Sequence, residues 1–109
     1  MIVGSGLVAR GFKDYRNDRK VVIFASGVSN SRETRRTSFE REELLLKRII
    51  DSHYKKTIVY FSTCSVDDNS VNQTSYVQHK LEMEQLVKKK CQKFFIFRLP
   101  QIVGKTNSP

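Results

Sequence analysis

The 109-residue chain is long enough to bury one sheet-and-helix core and too short for two domains. Hydrophobic residues make up 39% and charged residues 28%, with only five Gly and two Pro, which excludes a disordered chain and favours a globular one. The excess of 20 Lys and Arg over 11 Asp and Glu gives a formal charge of +9, which is compatible with an anionic partner such as nucleic acid, membrane or phosphate, or simply with solvated helix faces and ends.

Cysteine content and hydropathy exclude two further classes. Cys64 and Cys91 are far apart and belong to no Cys/His cluster, so we expect neither a disulfide framework nor a metal site. No window approaches the roughly 18 apolar residues of a membrane span. We therefore expect a cytoplasmic protein with no membrane span.

Short apolar runs alternate with longer helical stretches, and this alternation predicts βα units that feed a parallel sheet. The predicted strands are residues 1–3, 21–25, 57–62 and 94–99, and the predicted helices are residues 7–15, 38–53 and 75–91. Each strand is mostly apolar, as expected for strands that are covered on both faces.

Two of the helices carry more detailed patterns. Residues 37–40 (Thr-Ser-Phe-Glu) predict a capping box at the start of the second helix. In the third helix, Tyr76, Lys80, Met83 and Val87 fall on one face at helical spacing.

The first candidate site is the turn after the first strand. Gly4, Gly6 and Ala9 form a GxGxxA pattern between a strand and a helix, where glycines let phosphate oxygens approach helix amides. The alternative is an ordinary βα turn that needs glycine only for its backbone angles.

The second candidate is the pair Tyr76 and Lys80, which are four residues apart on one helix face. An ammonium there would lower the pKa of the phenol and make tyrosine a usable acid or base. A surface pair, or a tyrosine packed for its ring alone, would show the same spacing.

The third candidate is residues 60–65 (Tyr-Phe-Ser-Thr-Cys-Ser), where an apolar strand ends in hydroxyl groups at the ligand-binding edge of a parallel sheet. A hydroxyl there could hydrogen-bond a substrate oxygen during hydride transfer. Turn chemistry, in which Ser and Thr satisfy loop amides, is the alternative.

The order of these parts resembles the extended short-chain dehydrogenases/reductases, in particular the NAD-dependent epimerase/dehydratase family of the nucleotide-sugar type. Residues 24–29 (Phe-Ala-Ser-Gly-Val-Ser) look like that family's strand end beside the cofactor. Residues 98–104 (Arg-Leu-Pro-Gln-Ile-Val-Gly) look like its segment that runs past the nicotinamide. The resemblance covers nearly the whole chain.

The resemblance implies a role for each matching residue. Thr63 would be the catalytic hydroxyl, with Ser62 as the neighbouring alternative, Tyr76 the acid/base, and Lys80 the group that holds the nicotinamide ribose and tunes Tyr76. The implied cofactor is NAD or NADP, bound by Gly4, Gly6, Ala9, Ser26, Gly27, Lys80 and Pro100.

The chain also departs from the family. Between Phe12 and the next strand at Val21 there is no room for the two strand-helix units that normally follow the glycine turn. We therefore predict a single abbreviated NAD(P)-binding domain over residues 1–109, a three-layer α/β sandwich whose parallel Rossmann-like sheet of about four strands lacks the usual second and third strands. No C-terminal substrate lobe is expected.

The implied function is hydride transfer on a nucleotide sugar by an NAD(P)-dependent epimerase, dehydratase or reductase. The missing parts leave a second alternative open, a catalytically silent Rossmann-like binding or scaffold subunit. We expect a homodimer, or a partner that supplies the missing lobe. The resemblance implies that a dimer would pair the helices at residues 38–53 and 75–91. No nucleic-acid partner is expected, because basic and aromatic residues are not interleaved.

Overall fold

A computed structural model of the protein describes residues 1–67 and 74–100, in which strands and helices alternate. The strands are β1 (Ile2–Val3), β2 (Val21–Phe24), β3 (Thr57–Thr63) and β4 (Lys93–Leu99), and the helices are α1 (Leu7–Gly11), α2 (Arg36–Ser52) and α3 (Ser75–Lys90). Single 3-10 turns cover Lys13–Tyr15 and Cys64–Asp67. None of the helices in these ranges is long and apolar enough to cross a bilayer.

The four strands form one parallel sheet in the order β1-β2-β3-β4. Val22 lies beside Ile58, which in turn lies beside Phe94, so these side chains share one face of the sheet. The predicted α/β class and parallel sheet are confirmed. The predicted strand ends differ from the observed ones by one residue, whereas the first helix ends at Gly11 and a 3-10 turn follows it.

Helices cover both faces of the sheet and make the predicted three layers. On one face, Phe24 and Tyr60 pack against Leu46 of α2 and Met83 of α3. On the other face, Val8 and Phe12, from the segment between β1 and β2, pack against a smaller cluster of Ile23, Val59 and Phe61. Burial of these apolar side chains is the main source of stability.

The connection between β1 and β2 differs in hand from the other two. All three connections step one strand in the same direction, yet α1 lies on the face opposite to α2 and α3. At least one connection is therefore left-handed, although about 98% of parallel crossovers are right-handed. In the Rossmann order, the strand that follows the first helix lies beside the first strand, on the side opposite to the neighbour that β1 has here. If that strand were missing, the first helix would keep its face of the sheet while the chain continued into the strand on the other side.

One part of the sheet is uncovered in the described structure. β4 is an edge strand, and the side chains of Phe95 and Phe97 are 60% and 44% exposed. Their rings stack on each other, and Phe97 also stacks on Phe61. An exposed aromatic face beside an open strand edge is a surface prone to association.

The start of α2 corrects one prediction. The helix begins at Arg36 with Arg35 as its N-cap and no side-chain cap, so the capping box at residues 37–40 is wrong. Ser38 is buried inside the first turn instead of capping it. The carboxylate of Glu33 accepts the Thr34 and Arg35 amides just before the helix, at 3.1 and 3.0 Å.

Candidate functional site

A cleft of about 420 Å³ lies at the carboxyl ends of the strands. Its walls are the turn after β1, the loop after β2, the end of β3, the start of α3, and the residues that close β4. This is the edge of a parallel sheet at which ligands bind.

The structure brings nearly all the predicted site residues to this cleft. Those that line it are Gly4, Gly6, Ser26, Gly27, Ser62, Thr63, Tyr76, Lys80 and Pro100. Ala9 does not line it, because its side chain is buried on the inner side of α1. The predicted segment at residues 101–104 lies outside the described residues.

The two glycines of the first turn have different physical roles. Gly4 has φ +120°, and a Cβ there would lie 2.5 Å from the carbonyl oxygen of Ala25. Gly4 is therefore required by the packing of β1 against β2, with or without a ligand. A Cβ on Gly6 would meet no atom within 4 Å, so the space beside Gly6 is open to the cleft.

Tyr76 and Thr63 adjoin each other on the cleft wall. Burial raises the pKa of the Tyr76 phenol, and the neighbouring Thr63 hydroxyl only partly offsets this effect. The phenol is thus protonated at neutral pH, and the lowering of its pKa expected from Lys80 is not observed. The Thr63 hydroxyl oxygen also accepts the amide of Ser65 at 3.1 Å, which fixes the turn that follows β3.

Lys80 is buried and paired. Its Nζ lies 3.3 Å from both carboxylate oxygens of Glu42 and 3.3 Å from the hydroxyl of Tyr60. It also lies 5.9 Å from the centre of the Tyr76 ring. Burial lowers the pKa of the Lys80 ammonium, and the charge of Glu42 opposes that shift.

Glu42 is the centre of a buried network of four side chains, which we call the Glu42 network: Glu42, Tyr60, His79 and Lys80. His79 Nε2 donates to Glu42 Oε1 at 2.8 Å, and the hydroxyl of Tyr60 donates a short hydrogen bond to Oε2. Burial would raise the pKa of the Glu42 carboxyl, but the His79 hydrogen bond, the Lys80 charge and the other donors lower it to about 2. The carboxylate therefore stays ionised.

Glu42 and His79 were not predicted as site residues, and Tyr60 was assigned no role. A signal was present, because Glu42 lies between Ser38 and Leu46 on the buried side of α2, where a charged residue needs a partner. The partners lie on β3 and α3, and sequence spacing does not place them.

Gly27 was predicted as a cofactor-binding residue, and the structure adds a packing requirement. A Cβ on Gly27 would lie 2.7 Å from Glu42 Oε2 and 2.9 Å from Lys80 Nζ. A side chain at residue 27 would displace the two charged groups of this ion pair, so glycine lets the loop after β2 lie directly over them.

The Ser62 hydroxyl is a buried group on the cleft wall. Within residues 1–67 and 74–100 it has no partner in hydrogen-bonding geometry, although its proximity helps to lower the pKa of Glu84. Glu84 instead accepts two hydrogen bonds from Arg98, at 2.8 and 3.0 Å. A buried hydroxyl without a partner fits a site that a polar ligand completes.

The cleft combines open space with polar side chains. It offers open space at Gly6 and hydroxyls at Ser62, Thr63 and Tyr76, together with the ammonium of Lys80, which is buried and paired with Glu42. No group of three or more His, Cys, Asp or Glu side chains that could hold a metal ion occurs in the described part of the chain.

Comparison with protein-family models, with curated proteins and with solved structures finds no match to this chain.

Proposed function

We propose that this chain is an NAD(P)-binding domain of the epimerase/dehydratase type, which acts on a nucleotide sugar by hydride transfer. The observation that supports it best is the convergence of Thr63, Tyr76 and Lys80 on one cleft with the glycine turn. These residues come from three separate parts of the sequence, and a parallel sheet brings them to the same edge.

Each residue has a distinct task in this proposal. The Lys80 ammonium donates to a ribose hydroxyl, and Ser62 or Thr63 donates to a hydroxyl or carbonyl oxygen of the sugar. The open space at Gly6 admits the pyrophosphate of the cofactor. When bound, the nicotinamide supplies or accepts the hydride.

Tyr76 is the proton donor or acceptor. Because burial raises the pKa of its phenol, the ligand-free site holds the protonated form. That form is ready to protonate a carbonyl oxygen as a hydride arrives at the carbon, so the resting site is set for reduction of a keto sugar.

The test is calorimetric titration of the folded chain with NADH and with NADPH. Gly6→Gln would fill the open space beside the glycine turn and should weaken binding at least about tenfold, which corresponds to about 1.4 kcal/mol. The matched control is Gly11→Gln, at an exposed position where a Cβ also meets no atom within 4 Å but which does not line the cleft. Tyr76→Phe should leave cofactor binding intact and abolish proton transfer.

The outcomes are separable. Binding that Gly6→Gln weakens and Gly11→Gln spares would support a cofactor site in this cleft. A folded wild-type chain that binds neither NADH nor NADPH would refute the proposed function.

A second candidate is a catalytically silent subunit with the same fold. It is favoured by the pairing of Lys80 with Glu42, which leaves no free cation at this point of the cleft, and by the exposed aromatic rings of Phe95 and Phe97. Stable self-association in sedimentation velocity without any cofactor binding would support this alternative over the enzyme.

A further inference from the structure

We infer that Glu42 is a positioning residue, which holds the Lys80 ammonium at the floor of the cleft in the orientation that a ligand hydroxyl meets. The inference rests on the proposed function in taking Lys80 as a ligand-binding group. It adds a residue from α2, a helix to which neither the sequence patterns nor the implied roles assign any part in the site.

The carboxylate of Glu42 is surrounded by hydrogen-bond donors. Its two oxygens accept from Tyr60, His79, Lys80 and the amide of Val28, which lies 2.8 Å from Oε1. An ionised carboxylate only accepts hydrogen bonds and has about four lone-pair positions, so it suits a site where every neighbour is a donor. A glutamine there would place its own NH₂ group against donors.

Glu42 also connects several walls of the cleft. The contacts of Glu42 join the loop after β2 through Val28, strand β3 through Tyr60, and helix α3 through His79 and Lys80. Three walls of the cleft are therefore tied to one carboxylate. A shift of that carboxylate would move Lys80 together with the loop that faces it.

The ammonium of Lys80 and the carboxylate of Glu42 are both buried. Lys80 is 3% exposed and Glu42 is 2% exposed, so neither charge is solvated and each depends on the other. The ammonium is surrounded by the carboxylate of Glu42 from α2 and by the phenols of Tyr60 from β3 and Tyr76 from α3. Of these, only Glu42 is anionic at neutral pH.

The test follows the titration of Lys80 by NMR of its ¹³Cε and ¹⁵Nζ nuclei, with the resonance assigned from Lys80→Arg. Removal of the facing carboxylate in Glu42→Gln should lower the pKa of Lys80 by about one to three pH units relative to wild type. Loss of packing alone would change stability without moving this titration.

The control is Glu43→Gln. Glu43 is the next residue of α2, but it is partly exposed and forms an ion pair with Lys47 at 2.8 Å. The titration of Lys80 in this variant should match wild type, because Glu43 does not contact the Glu42 network. Glu42→Asp keeps the charge but withdraws the carboxylate by one methylene, so it should lower the pKa of Lys80 by less than Glu42→Gln does.

A Lys80 pKa that is the same in wild type and in folded Glu42→Gln would overturn the inference. If Glu42→Gln does not fold, Glu42→Asp decides the question. Its carboxylate is withdrawn by one methylene, which should still lower the pKa of Lys80. An unchanged pKa in this variant would overturn the inference. None of these titrations uses a cofactor. A chain that binds no NADH would thus refute the proposed function and leave the answer about Glu42 intact.

Discussion

Acid should destabilise this protein through Glu42 more than through a typical carboxyl. The folded chain lowers the pKa of Glu42 from 4.5 to about 2. Because the folded value is below the unfolded one, the stabilisation is fully present above about pH 5 and is lost as the pH falls toward 2. The shift corresponds to roughly 3 kcal/mol of unfolding free energy at a single carboxyl.

The assay is urea unfolding followed by circular dichroism at several pH values, for wild type and for Glu42→Gln. The unfolding free energy of wild type should fall by about 2 kcal/mol relative to that of Glu42→Gln between pH 6 and pH 3, because the Glu42 carboxyl takes up a proton in the unfolded chain and stays ionised in the folded one. Comparison of the two proteins is essential, because the pKa values of Glu33 and Glu84 are also lowered and both contribute to acid sensitivity.

Glu43→Gln is again the control, and its difference from wild type should stay nearly constant with pH. A difference between wild type and Glu42→Gln that is also constant from pH 6 to pH 3 would refute the reasoning. It would mean that the Glu42 network does not hold the carboxyl ionised in the folded state.

Three further predictions concern other parts of the molecule. Gly4→Ala, at φ +120° with its Cβ 2.5 Å from a backbone oxygen, should cost about 2–3 kcal/mol in urea unfolding, whereas Gly11→Ala should cost nothing; equal costs would show that Gly4 is not strained. Arg98→Lys replaces a two-point contact with Glu84 by a single one and should cost about 1–2 kcal/mol in the same assay, and an unchanged midpoint would contradict the contact. Phe95→Thr should reduce self-association in sedimentation velocity by removing a ring that is 60% exposed, and unchanged association would place the contact elsewhere.

The strands and the buried face of α3 could be predicted from the sequence because their signals are local. Four apolar runs with helical stretches between them indicate a parallel sheet, and Tyr76, Lys80, Met83 and Val87 are indeed all buried on one face of α3. The convergence of the glycine turn with the end of β3 follows from parallel topology alone.

The Glu42 network could not be predicted because it depends on contacts between distant parts of the chain. Glu42 and Lys80 are 38 residues apart, and their contact requires the rotation of two helices about their axes. The capping box predicted at the start of α2 was wrong for a related reason. Ser38 matches a capping residue by type, but packing against the rest of the protein turns it inward.

The short first strand has a consequence for how the cleft opens. β1 pairs with β2 at only two positions, and the segment that follows it crosses the sheet with the opposite hand to the rest. The glycine wall thus belongs to a small N-terminal unit that joins the sheet through a two-residue strand, while Thr63, Tyr76 and Lys80 belong to the larger β2–β4 unit. Such a unit should open at a lower free energy than global unfolding, and amide exchange would be fastest there. A ligand that contacts both units would suppress this local opening, and part of its binding free energy would offset the cost of holding the first strand in place.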